Sequence, residues 1–233
     1  MDTHRLTVVQ CALDPARAAA FWSGLLALPG GGRGATEVPG DERRPTLRFV
    51  PGSPAGREHD GFHLHVLTAD EDDLRATVDL VLRTGGRHLD VGRRPDERHV
   101  VLADPEGYPF CVLPPGGTFL AGSGRLAEVT CDGHRATGLF WSAALDRPLV
   151  WDRDGETAVE TAPEGGTKIS WGGPPVAAPP ATAAKWLELV VDDPAAERER
   201  LLAAGAGALP DVADGTVRLT DPDGFVLRVS RAP

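Results

Sequence analysis

The sequence predicts an α+β fold made of four strand–helix–strand units, and three pairs of matching segments carry that reading. DPEGYPFCVL (104–113) and DPDGFVLRVS (221–230) share a DPxG turn followed by a short apolar strand. AAAFWSGLLALP (18–29) matches TGLFWSAALDRP (137–148). FHLHVLTADEDDLRATVDLVLRTGG (62–86) matches KWLELVVDDPAAERERLLAAGAG (185–207). Their order and spacing are kept, which marks an internal repeat of about half the chain. Each half splits again, giving units over 1–52, 61–116, 124–174 and 183–233.

The first unit opens with RLTVVQCAL (5–13), rich in β-branched residues and read as a strand. Asp14 suits a helix N-cap and Pro15 the first helical position. Ala19, Trp22 and Leu26 recur at helical spacing, as do Phe21 and Leu25, until Pro29 and the glycines at 30–32 stop the helix. TLRFVP (46–51) is a later strand. The second unit runs through strand FHLHVLT (62–68) and a helix over 71–84 closed by Gly85 and Gly86. RHVVLADPEG (98–107) and YPFCVLP (108–114) follow as strands about a turn in which Gly107 takes positive φ. The third unit has strand RLAEVTC (125–131), a helix over 134–145, and strands TAVETA (157–162) and KISWG (168–172). The fourth has strand KWLELVV (185–191), a helix over 194–204, and a closing strand pair in TVRLTDPDGFVLRVS (216–230). Pro/Gly-rich joints at 50–61, 114–124 and 172–182 separate the units, and the middle one reads as the domain boundary. A ferredoxin-like arrangement competes, and the extra strands per unit put it second.

Composition bounds the function. With 41% apolar and 25% charged residues the chain reads as an ordinary soluble globular protein. No apolar run approaches the length of a membrane span, and the start carries no apolar signal core, so a cytoplasmic location is expected. Net charge is −10 and both halves are mildly acidic, without the basic face that nucleic acid requires. Cys11, Cys111 and Cys131, odd in number and without C-x-x-C spacing, read as reduced thiols.

A strand followed by DPARAAAFW, then FHLHVLTAD before a helix, then DPEGYPFCVL, resembles the vicinal-oxygen-chelate superfamily in its glyoxalase-like branch, along nearly the whole chain. The resemblance implies paired βαβββ modules, each pair folding a curved mixed sheet around a cleft with helices outside. It implies two tandem domains, 1–116 and 124–233, each closed by a DPxG ending. Metal-dependent members hold a divalent ion on His, Glu or Gln of the first and last long strands of each module. The matching positions here are Thr7, Arg48, His63 and Cys111, then Leu126, Ser170, Trp186 and Arg228. A guanidinium cannot deprotonate and repels a cation, so neither a metal nor another cofactor is expected. The competing route is zinc on His63 and His65, which share one face of their strand, with Cys111 as the third donor such a site needs.

Strand alternation lines the first cleft with Thr7, Val9, Cys11, Arg48, His63, His65, Cys111 and Leu113. It lines the second with Glu128, Thr130, Ser170, Trp186, Glu188, Val190 and Arg228. Apolar walls with a few polar groups describe a small-molecule pocket. Arg48 beside two histidines favours an anionic or carbonyl-bearing ligand, and Trp186 offers a face for a planar ring oriented by Glu188 and Arg228. The expected function is therefore binding of a small organic molecule in the first cleft. Lyase, isomerase or dioxygenase chemistry on His63 or His65, with or without a metal, is the alternative, with Cys111 and His63 as a conceivable nucleophile pair. A degenerate scaffold for protein partners is a third reading. Four linked modules suit a monomer or a homodimer. Trp22 and Trp141 occupy equivalent helix positions, which favours packing over chemistry.

Overall fold

Residues 4–28, 34–54, 61–90, 98–163, 165–172, 179, 182–210 and 215–232 are described in a computed structural model of the chain. The stop at 29–32, half of the joint at 50–61 and most of that at 172–182 lie outside them. The first module contains β1 (Arg5–Ala12), α1 (Pro15–Leu25), β2 (Glu37–Val38) and β3 (Thr46–Pro51). The second contains β4 (Phe62–Leu67), α2 (Glu71–Arg83), β5 (Arg87–His88), β6 (Val100–Ala103) and β7 (Pro109–Leu113). The third contains β8 (Leu126–Cys131), α3 (Arg135–Leu145), β9 (Leu149–Arg153), β10 (Glu156–Glu160) and β11 (Lys168–Trp171). The fourth contains β12 (Lys185–Val191), α4 (Pro194–Ala203), β13 (Gly207–Ala208), β14 (Val217–Thr220) and β15 (Val226–Arg231). Four strand–helix–strand modules are as the repeat predicts, and the long elements fall where their patterns place them.

The modules do not pair within each half. One mixed sheet runs β13-β14-β15-β12-β1-β3-β2 and joins the first module to the fourth. The other runs β5-β6-β7-β4-β8-β11-β10-β9 and joins the second to the third. The seams are antiparallel, β1 on β12 with Thr7 opposite Glu188, and β4 on β8 with His65 opposite Glu128. The joint at 114–124, expected to lie between separate sheets, thus links neighbours within one sheet. Periodicity assigns a strand's faces and not its edge partner, so which module shares a sheet with which was not legible from the repeat.

Alternate residues of both sheets turn inward to one apolar core. Leu6 and Val8, Phe62, Leu64 and Val66, Leu187 and Leu189, and Leu227 and Val229 all belong to it. Helices α1 and α3 lie in that core. Asp14 caps α1 by accepting from Arg17 N at 3.0 Å, and Trp22 stands edge-on to Phe110 of the other sheet, centroids 5.1 Å apart. Helix α3 packs so closely on β10 that a Cβ on Gly138 would lie 1.8 Å from Thr157 Oγ1.

The twin DPxG endings clasp the two sheets together. Asp104, on the second module, accepts from Trp22 Nε1 of the first at 3.1 Å; Asp221, on the fourth, accepts from Trp141 Nε1 of the third at 3.3 Å. The other oxygen of each takes two backbone N–H groups of its own turn, where Gly107 and Gly224 have φ of 101° and 92°. Glu106 and Asp223, the variable acids of the motif, accept from Leu13 N (2.6 Å) and His134 N (2.7 Å) across the same junction. Trp22 and Trp141 are structural, as their equivalence suggests.

Candidate functional site

Strand β4 reads FHLHVL, and its burial alternates with its sequence. Phe62, Leu64 and Val66 face the core, so His63 and His65 stand on the opposite face. In register beside His65 lie Cys111 on β7 and Glu128 on β8; Thr130 on β8, with Ser170 beside it on β11, pairs with His63. A register shift between His65 and Val66 sends Leu126 opposite Val66 into the core and leaves Glu128 as the cleft residue. The family position expected at Leu126 is therefore occupied in space by a carboxylate.

His65 is the centre of this cluster. Its Nδ1 meets Glu128 Oε2 at 2.6 Å and its Nε2 lies 3.0 Å from His63 Nε2. It also hydrogen-bonds Cys111. Ser170 Oγ donates to the other oxygen of Glu128, which holds the carboxylate in place. Burial alone would lower the His65 pKa, but its hydrogen bonds and electrostatic interactions with Cys111 and Glu128 outweigh it and raise the pKa to about 9. Cys131, fully buried among carboxylates, has its thiol pushed well up and is chemically quiet.

One donor atom each from His63, His65 and Cys111 lie within 4.8 Å of one another. A tetrahedral zinc ion, with Zn–N of about 2.1 Å and Zn–S of about 2.3 Å, would hold its donors about 3.4–3.6 Å apart, so the widest pair closes by about 1 Å on binding. The donor set fits the ion in kind. Glu128 on Nδ1 fixes the ring so that Nε2 faces the shared space, the arrangement that metal-bound imidazoles adopt. The third ligand that sequence spacing left conditional is thus present, and a carboxylate orients the second histidine.

Thr7, Arg48, Trp186, Glu188 and Arg228 lie on the other sheet. Arg48 does not join the histidines, contrary to expectation. It donates to Glu37 at 2.6 Å and to Glu188 at 2.8 Å. Burial lowers its pKa, and the bonds and charges of the two glutamates raise it further, so it stays a cation. Glu188 also accepts from Ser230 Oγ (2.7 Å) and Trp186 Nε1 (3.4 Å), and Arg228 lies over the Trp186 ring with Cζ 3.6 Å from its centroid. Glu128, predicted to line a cleft with Trp186 and Glu188, belongs instead with His63, His65 and Cys111. Glu37, Arg218 and Ser230 were missed. The TVRLT alternation, with Val217 and Leu219 in the core, is the signal that would have put Arg218 on this face.

Two mixed sheets of paired modules, each with a polar face turned away from the shared core, define the class, and the comparisons agree. The family profile described as "Glyoxalase-like domain" matches residues 7–113 and 127–230, and the chain belongs to that family. Among solved structures, it is similar to glyoxalase I from Zea mays: TM-score 0.64, 16% identity, covering 98% of this chain and 92% of that one. A putative dioxygenase from Bacillus subtilis matches with TM-score 0.53 and 12% identity, covering 97% and 84%. At these identities the likeness concerns fold. No curated protein matches the chain. Among the described residues, no helix is long and apolar enough to cross a membrane.

Proposed function

We propose that the cleft of the second and third modules binds a small organic molecule beside a divalent ion of the zinc class held by His63, His65 and Cys111. The observation that carries this reading is the convergence of those three donors within 4.8 Å. Three protein ligands with an open position are what a catalytic zinc site uses. When bound, the ion would supply a Lewis acid to an oxygen of the ligand. Glu128 positions His65 and Ser170 positions Glu128. Lyase, isomerase or dioxygenase reactions are the first to assay, as the names of the structural neighbours suggest. This departs from the expectation of a metal-free cleft, which rested on treating each half separately.

Elemental analysis of protein purified without chelator tests it. About one zinc-class ion per chain is expected, lost in His63→Ala and Cys111→Ser, with a metal-dependent rise in Tm restored by re-addition. Metal-free protein unmoved by Zn, Ni, Mn and Fe, yet stabilised by small aromatic or carboxylate compounds, would return the cleft to a plain receptor.

The run Cys111–His65–Glu128 favours a second reading, a thiol nucleophile with its base oriented by a carboxylate. On that reading iodoacetamide alkylates Cys111 selectively near neutral pH in chelated protein, and Glu128→Gln slows it. Inert Cys111 excludes this reading.

A further inference from the structure

The two DPxG turns are equivalent in sequence, and the space beside each is used differently. In the second module Tyr108 follows the turn's glycine, and it is buried. Its hydroxyl lies 2.9 Å from Cys11 O and 3.1 Å from Ala184 O. It thereby closes the end of the β1–β12 seam, where Cys11 N donates to Ala184 O at 2.7 Å. The same place in the fourth module's turn is held by Phe225, and both aromatic residues donate their backbone N–H to their own aspartate at 3.0 Å. Phe225 has no hydroxyl, stays partly exposed and lies beside Gly61. This is the end of the β4–β8 seam, where Asp132 N donates to Gly61 O at 2.8 Å. There the sheets enclose a cavity.

The cavity has an aromatic interior and an open mouth. Phe62, Leu187 and the pair Trp141–Trp171 line its depth, the two indoles stacked with centroids 5.8 Å apart and planes 13° from parallel. All four are buried, whereas Gly61, Asp132, Ala183 and Phe225 around the mouth are partly exposed. The hollow measures about 480 Å³ with its mouth included, and the centre of a water molecule can range over about 30 Å³ of it. That space admits one flat ring. The charged groups along the wall are already engaged. Lys185 Nζ donates to Phe62 O and stands over the rings of Phe62 and Tyr108, 5.1 and 5.4 Å from their centroids. Asp221 gives one oxygen to Trp141 Nε1 and the other to two backbone N–H groups. The site therefore offers ring faces and edges rather than an ionic partner, and apolar walls of this kind suit a small neutral guest.

We propose that this cavity is a second ligand site, separate from the histidine cluster, for a small neutral aromatic molecule of a single ring. The guest enters past Ala183 and Phe225 and packs against the Trp141–Trp171 pair and Phe62. It occupies at the fourth module's turn the kind of place that Tyr108 fills from within the chain at the second.

Full-length protein is titrated with phenol and, separately, with cyclohexanol, a ring of similar size that is not flat, by calorimetry and thermal shift. Saturable binding of phenol with a Kd of about 1 mM or tighter is expected, tighter than that of cyclohexanol. It should persist in His63→Ala, which separates it from the histidine cluster, and it should not weaken with added chloride. Ala183→Phe sets a ring in the mouth and Phe225→Trp enlarges the lip, and each is expected to weaken phenol binding about tenfold or more. If Phe225→Trp fails to fold, Ala183→Phe carries the test, since Ala183 is partly exposed and its substitution leaves the buried walls intact. Absence of saturable phenol binding, its loss in His63→Ala, binding unaltered in the folded blocking variants, or tighter binding of cyclohexanol overturns the proposal. None of these outcomes alters the metal content by which the histidine site is judged.

Discussion

Asp104 and Asp221 each accept an indole N–H and backbone N–H groups, yet burial dominates and pushes both pKa values up to about 6. Their ordinary value is 3.8, so between about pH 4 and pH 6 the folded chain binds more protons than the unfolded one. Stability from these two groups is therefore complete below pH 4 and falls as pH rises through 6, by on the order of 3 kcal/mol each. Asp73 and Glu197 act oppositely. Burial would raise them, but the bonds and charges of Arg125 on Asp73, and of Arg200 and His4 on Glu197, hold them low, so their contribution is lost below about pH 4. The urea midpoint is expected to fall between pH 4 and pH 7, and Asp104→Asn should remove its share of that slope. A midpoint that climbs across the window would contradict this account. The sequence exposed which residues face away from the core, because alternation on FHLHVL and KWLELVV is plain, but not which of them share a cleft. It could not expose that His65 meets Glu128, since the two are separated by 63 positions and only strand pairing joins them.

At the scale of elements, the strongly patterned helices and strands were legible and the short ones were not. The strands β2, β5 and β13 are two residues each, too short to show a period. Strand β9, LVWDR, has five residues, but most are exposed and no apolar alternation announces it. Helix α3 offers a sharper test. Alanine in place of a helical glycine ordinarily stabilises by up to about 1 kcal/mol. At Gly138 the added methyl would collide with the Thr157 side chain, and both residues are buried between α3 and β10. The sign should therefore reverse. Gly138→Ala is expected to destabilise by about 1–3 kcal/mol in equilibrium denaturation, and Gly138→Ala with Thr157→Ser should recover some of the loss. An unchanged or raised Tm would show that the helix can shift outward.

For the whole molecule, the repeat was readable and its closure was not. Internal similarity shows that the units correspond, yet two ways of pairing four modules satisfy it equally. The structure joins the outer two and the inner two, and the clasps at Asp104 and Asp221 then tie one sheet to the other. Each half taken alone keeps its own indole clasp but would bare β1 and β4, or β8 and β12, along a full seam. Segments 1–116 and 124–233, produced separately, are expected to lack cooperative unfolding and to regain it when mixed. Two halves that each melt cooperatively on their own would refute that.

The outer pairing also sets a schedule. On a ribosome β1 emerges before β12, its seam partner, which follows only after the inner two modules have been made. Throughout that interval the backbone of β1 is an open template for any neighbouring nascent chain. Pauses in translation before residue 185 should therefore cost yield, and the same pauses placed after it should not.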